Sequence, residues 1–96
     1  MSENDKIQRV EIVITGIVQG VCFRAETRDF AYTIGVGGTV RNLPNGSVEI
    51  IAEGDKENLE KLIKYARKGP SSAQVYNTSV KWEKPKKDFS QFSIVY

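Results

Sequence analysis

The segment from Gly16 to Arg24 constrains the fold most, because it separates an apolar, β-prone run from a helical pattern. It reads G-I-V-Q-G-V-C-F-R and follows the run V-E-I-V-I at residues 10–14. A strand that turns directly into a helix leaves unpaired backbone N–H groups at the positive end of the helix, and such a junction binds anions. Arg24, at the helix entrance, adds a permanent charge whose forked donors fit phosphate oxygens. The segment therefore predicts phosphate recognition.

Hydrophobic periodicity predicts five strands and two helices along the chain. An Asn45-Gly46 pair between two β-prone runs indicates a hairpin, Asp55 is expected to cap the second helix, and Gly35 to end the first. The predicted strands are 7–15, 38–43, 47–54, around 75–82, and 92–96, and the predicted helices are 23–34 and 56–68. This β-α-β-β-α-β order with a final edge strand predicts an α+β, ferredoxin-like sandwich, with two helices packed on one face of an antiparallel sheet.

The length and composition indicate one small globular domain. With 96 residues, we expect a single domain over residues 7–96, preceded by a disordered or frayed N-terminus at residues 1–6. The sequence has no apolar run near the roughly 18 residues of a membrane span, and no hydrophobic signal segment. The single cysteine, Cys22, cannot form an intramolecular disulfide, which fits a reducing compartment. We therefore expect a cytoplasmic monomer that does not bind membranes.

The absence of histidine restricts the chemistry that the chain can perform. It excludes Ser-His-Asp and Cys-His catalysis and every zinc site that needs imidazole, so we expect no metal and no cofactor. The net charge of +2 is too balanced to imply a nucleic-acid partner. Any chemistry must therefore use arginine, carboxylates, amides, backbone N–H groups or water.

Two motifs resemble the acylphosphatase family over nearly the whole length of the chain. The family's G-x-V-Q-G-V-x-F-R stands at residues 16–24. Its second motif, G-[aromatic]-V-[K/R]-N-x-x-x-G-x-V-x5-G, stands at residues 38–54, with Thr39 in place of the usual aromatic residue. We expect that departure to affect packing or substrate fit more than chemistry.

The resemblance implies hydrolysis of a carboxyl–phosphate mixed anhydride to a carboxylate and inorganic phosphate. The family's catalytic arginine corresponds to Arg24, which would clamp the phosphoryl oxygens, and its catalytic asparagine corresponds to Asn42, which would orient the attacking water. The backbone N–H groups of the phosphate-binding loop would complete the cradle. Those loop residues are Gln19, Gly20, Val21, Cys22 and Phe23. The partners implied are a small acyl phosphate and inorganic phosphate.

Several residues also have simpler interpretations. Taken alone, Arg24 could be an ordinary surface residue, Asn42 a turn-former, and Gly16 and Gly20 only the hinges of a tight turn. Cys22, beside an arginine at a helix N-terminus, could act as a nucleophile through a covalent thiophosphate.

Other functions on the same fold stay open at the level of sequence. RNA-recognition domains share the element order, but they carry exposed aromatic residues on central strands where this chain has none. A non-catalytic anion-binding regulatory module is the main alternative. The presence of both Arg24 and Asn42 favours an enzyme, because phosphate binding alone needs no asparagine to orient water.

Overall fold

The computed structural model describes residues 7–96, which form a five-stranded sheet and two helices. The elements, in chain order, are β1 (Ile7–Ile17), α1 (Phe23–Ile34), β2 (Gly37–Asn42), β3 (Val48–Asp55), α2 (Lys56–Lys68), β4 (Gln74–Glu83) and β5 (Phe92–Ile94). The predicted element order is confirmed, and α1 has its predicted bounds. The expected frayed segment 1–6 lies outside the described residues.

The sheet is mixed rather than wholly antiparallel. Its strand order is β4-β1-β3-β2-β5, and every neighbouring pair is antiparallel except β2 and β5, which run parallel. The ferredoxin-like plan is therefore confirmed, with the correction that its final edge strand joins in the parallel sense. The reason is that β5 reaches β2 by crossing the sheet from the opposite edge, instead of returning by a hairpin.

β1 and β5 each differ by two residues at one end from their predicted bounds, and the other three strands by one residue at each end. β1 continues to Ile17 because, after a bulge at Thr15/Gly16, its last residues still pair with β4. β5 stops at Ile94, short of the predicted end at Tyr96. The backbone N–H of Val95 still donates to the Val40 carbonyl at 3.0 Å, but Tyr96 then lies against the Arg24 guanidinium instead of extending the ladder.

The core lies between the helices and one face of the sheet. Alternate residues of the central strands point to this face and are fully buried, as periodicity requires. The largest fully buried side chains include Phe23, Ile12, Ile14, Ile50, Leu59 and Leu62. Phe23, the first residue of α1, therefore anchors the start of this helix, and with it the neighbouring loop, to the core.

The connection between β4 and β5 crosses the open face of the sheet, opposite the helices. The carboxylate of Glu53 accepts the backbone N–H groups of Lys86 at 2.7 Å and Lys87 at 2.9 Å. The same carboxylate pairs with Arg9 at 2.8 Å, and the Arg9 guanidinium lies 5.2 Å from the centre of the Phe89 ring. This crossing brings the last residues of the chain beside β2. Within residues 7–96, no helix has the length and apolar character needed to span a membrane.

Candidate active site

The loop between β1 and α1 has a backbone conformation suited to an anion. Gly20 has φ 74° and Cys22 has φ 62°, both left-handed, and Val21 between them does not. Alternation of this kind turns successive N–H groups toward one concave side. None of the backbone N–H groups of residues 19–23 has an acceptor within the described part of the chain. These N–H groups lie at the N-terminus of a twelve-residue helix, where an anion is favoured.

Arg24 and Asn42 line the same pocket, which has a volume of about 230 Å³. Arg24 is the second residue of α1, and its guanidinium carbon lies 4.9 Å from the centre of the Tyr96 ring. This distance is within the range of a cation–π contact. The remaining lining residues are Val18, Gly20, Cys22, Phe23, Ala25, Ile94 and Tyr96.

Asn42 enters the pocket from the end of β2. It lies two residues after the fully buried Val40, so its side chain shares the helix-side face of the sheet. The side-chain oxygen of Asn42 is buried and has no hydrogen-bond partner within residues 7–96. A buried acceptor without a partner is costly. Within residues 7–96 the Asn42 amide is thus a polar group of the pocket lining whose oxygen no other residue engages.

The Gln19 side chain connects the β1–α1 loop to the β2–β3 hairpin. Its amide Nε2 donates to the Leu43 carbonyl at 2.8 Å and to the Ser47 carbonyl at 2.9 Å. Ser47 also accepts the Leu43 N–H at 2.8 Å, which closes the turn directly after Asn42. One side chain thus fixes the loop relative to the strand end that carries Asn42.

The sequence-predicted residues do not all contribute in the same way. Gly20, Cys22 and Phe23 line the pocket with Arg24 and Asn42, whereas Gln19 and Val21 are not among its lining residues. The Val21 carbonyl instead accepts a hydrogen bond from the Ser72 hydroxyl at 2.8 Å, which holds the loop from the other side.

Sequence reasoning missed two parts of the site. It treated Gln19 only as a backbone donor, although the shared motif offered a signal for its side chain. It also missed Ile94 and Tyr96, because no local sequence pattern shows that the last residues of the chain lie beside the β1–α1 loop.

Thr39 and Arg41 lie on the open face of the sheet, away from the pocket. Thr39 pairs with Ile51 of β3 and Ser93 of β5, in alternation with the buried Val40. The Arg41 guanidinium donates to Glu49 at 2.8 Å on the same face, so its charge is directed away from Asn42. The absence of an aromatic residue at position 39 therefore leaves the pocket lining unchanged.

Comparisons with known proteins agree with this geometry. The family model described as Acylphosphatase matches residues 10–94. A protein named Acylphosphatase from Pelotomaculum thermopropionicum is 46% identical and aligns over 92% of this chain and 96% of its own length. The solved structure of an acylphosphatase from Coxiella burnetii superposes with a TM-score of 0.92 at 29% identity, covering 99% of this chain and 100% of that one. Acylphosphatase from Bacillus subtilis superposes with a TM-score of 0.89 at 32% identity, covering 93% and 99%.

Proposed function

The chain belongs to the acylphosphatase family, and we propose that it hydrolyses carboxyl–phosphate mixed anhydrides with Arg24 and Asn42 as its catalytic residues. The products are a carboxylate and inorganic phosphate. The observation that carries the assignment of residues is the pocket of about 230 Å³ that Arg24 and Asn42 line together. The family membership favours an enzyme over a non-catalytic anion-binding module.

The substrate's phosphoryl group binds in the loop cradle. Arg24 supplies a permanent positive charge and paired donors, and the unpaired N–H groups of residues 19–23 supply the remaining contacts. These donors are fixed before the substrate arrives, because Phe23 is buried in the core and Gln19 is tied to the hairpin. Such preorganised donors stabilise the charge on the equatorial oxygens as the phosphoryl group transfers.

The attacking water is held by Asn42. The side-chain amide of Asn42 forms a hydrogen bond with the water and orients the lone pair of the water oxygen at phosphorus, opposite the departing carboxylate. An amide does not act as a base near neutral pH, so Asn42 works by position. The leaving carboxylate has a conjugate acid of pKa about 4, so the reaction needs no general acid. This suits a chain without histidine.

Hydrolysis of benzoyl phosphate in EDTA, measured with inhibition by inorganic phosphate, tests the two roles separately. Arg24→Ala should lose turnover and also phosphate binding, measured directly by isothermal titration calorimetry, because both depend on the same clamp. Asn42→Ala should lower kcat by about 100- to 1000-fold while leaving the inhibition constant for phosphate nearly unchanged. Arg28→Ala is the matched control, since Arg28 lies on α1 outside the pocket and pairs with the neighbouring Asp29.

Two other outcomes would each contradict a different part of the proposed function. Full activity of Asn42→Ala would contradict the orientation of water by this residue. Phosphate binding by the unaltered protein, lost in Arg24→Ala but without any turnover, would contradict the enzymatic function and support the anion-binding module.

A further inference from the structure

A surface groove lies away from the proposed active site, between α2 and β4. It has a volume of about 800 Å³, which falls within the range of small-molecule sites. It shares no lining residue with the pocket that Arg24 and Asn42 line, the proposed phosphate pocket. We call it the α2–β4 groove and define it by Trp82 and Val80 of β4 and by Lys56, Ile63, Lys64 and Arg67 of α2.

The floor of the groove is apolar because the helices do not fully cover the edge strand. Trp82 and Val80 pair in register with Val10 and Ile12 of β1, so all four point to the helix side of the sheet. Val10 and Ile12 are fully buried, whereas Trp82 remains 40% exposed. An aromatic surface with room above it is therefore available to stack on a planar ring.

The wall of the groove is cationic. Lys56, Lys64 and Arg67 follow one another along one side of α2, against a single carboxylate, Glu60. None of the three cations forms an ion pair with another residue between positions 7 and 96. Three positive charges against one carboxylate give the wall a net positive charge, which, beside an apolar floor, complements a ligand that is anionic at one end and planar at the other.

We propose that the α2–β4 groove binds a small anion carrying a planar aromatic ring, the chemistry of a nucleoside phosphate. The ring stacks on Trp82, and the anionic group contacts Lys64 and Arg67, which are neighbours on the helix surface at a spacing of three residues. This site is separate from the phosphate pocket, and the inference does not depend on the proposed hydrolytic activity.

The experiment uses ADP without divalent metal as the probe and nuclear magnetic resonance as the readout. Trp82 is the only tryptophan in the sequence, so its indole N–H gives a single cross-peak that reports on the groove directly. We expect a saturable shift of this peak with ADP, and weaker shifts with adenosine, which lacks the charge, and with pyrophosphate, which lacks the ring. The Arg24→Ala background removes any contribution from the phosphate pocket.

Charge-matched variants identify the contacts. Lys64→Gln/Arg67→Gln should raise the dissociation constant for ADP at least tenfold. The control Lys61→Gln/Lys68→Gln removes the same charge from exposed positions on α2 outside the groove. It should change the dissociation constant for ADP less than threefold. An unshifted indole peak, equal weakening in both double variants, or adenosine binding as tightly as ADP would each overturn the proposal.

Discussion

At the scale of single residues, Cys22 combines an unusual backbone with a thiol in the pocket that Arg24 and Asn42 line. Its φ of 62° is left-handed, which costs a residue with a side chain about 1 to 2 kcal/mol and costs glycine nothing. The Cys22 thiol has no part in the proposed mechanism. The alternative is nucleophilic attack by the sulfur through a covalent thiophosphate.

Two substitutions at Cys22 separate these possibilities. Cys22→Gly should leave the free energy of unfolding unchanged or raise it by up to about 1 kcal/mol, as relief of the strained backbone offsets the greater freedom of the unfolded chain. Cys22→Ser, which keeps the shape of the side chain, should retain kcat within a few-fold. Urea denaturation and benzoyl phosphate hydrolysis provide the two measurements. A thousandfold loss of kcat in Cys22→Ser would show that the sulfur takes part in catalysis.

Glu11 is a second residue whose environment has a measurable consequence. It lies on the open face of the sheet, where a hydrogen bond with Glu83, partial burial, and the negative charges of Glu83 and Glu49 together raise its pKa above the ordinary 4.5. A carboxyl group whose pKa is raised by folding destabilises the protein above that pKa. The destabilisation disappears as the pH falls through the raised pKa to the ordinary value.

Glu11→Gln should therefore raise the Tm at pH 7, because it removes this repulsion. The gain should shrink as the pH falls and should vanish once Glu11 is protonated in the unfolded chain as well, below its ordinary pKa of 4.5. Thermal unfolding followed by circular dichroism across this range measures the effect. Glu57→Gln, in the first turn of α2, is the control, and should lower the Tm slightly by removing a favourable interaction with the helix dipole. A lower Tm for Glu11→Gln at pH 7 would contradict the argument.

At the scale of elements, the site depends on how the β1–α1 loop and the β2–β3 hairpin are held together. Gln19 forms this connection with two hydrogen bonds to hairpin carbonyls, at 2.8 and 2.9 Å. Asn42 directly precedes one of these acceptors, Leu43, so the connection fixes the end of β2 relative to the β1–α1 loop. In the proposed mechanism we therefore expect Gln19 to act as a positioning residue.

Gln19→Leu keeps a side chain of similar size but removes both hydrogen bonds. We expect kcat to fall by about ten- to a hundredfold, because a small displacement of the reacting groups strongly lowers the reaction rate. The inhibition constant for phosphate should change much less, since Arg24 and the loop N–H groups remain. Gln74→Leu, at an exposed position of β4, should alter neither quantity. Loss of phosphate binding that equals the loss of kcat in Gln19→Leu would mean that the residue supports only the cradle.

The helices could be predicted from the sequence where a local pattern of residues determines their bounds. The apolar face of residues 23–34 and the terminal Gly35 fixed α1, and the glycine indeed has the left-handed φ of 71° that ends such a helix. Asp55 precedes α2 as predicted, but its side chain makes no capping hydrogen bond. Asp55 is instead the last residue of β3 and pairs with Ile7 of β1. The helical pattern that follows Asp55 does not predict this pairing.

At the scale of the whole molecule, the sequence predicts the plan of the fold but not the path of its last segment. The crossing of the open face depends on contacts between distant residues, such as Glu53 with the backbone of Lys86 and Lys87. No local pattern connects these positions. The same limit hid the approach of Tyr96 to Arg24, whereas Arg24 and Asn42 were accessible through their motifs.

The central claim is that water held in the phosphate pocket attacks phosphorus, and the position of bond cleavage tests it most directly. Benzoyl phosphate would be hydrolysed in water enriched in oxygen-18, with the uncatalysed reaction and Arg24→Ala measured in parallel, and both products analysed by mass spectrometry. We predict one oxygen-18 atom in each phosphate released by the protein and none in the benzoate. Oxygen-18 in the benzoate would mean attack at the carbonyl carbon, and would contradict the roles assigned to both Arg24 and Asn42.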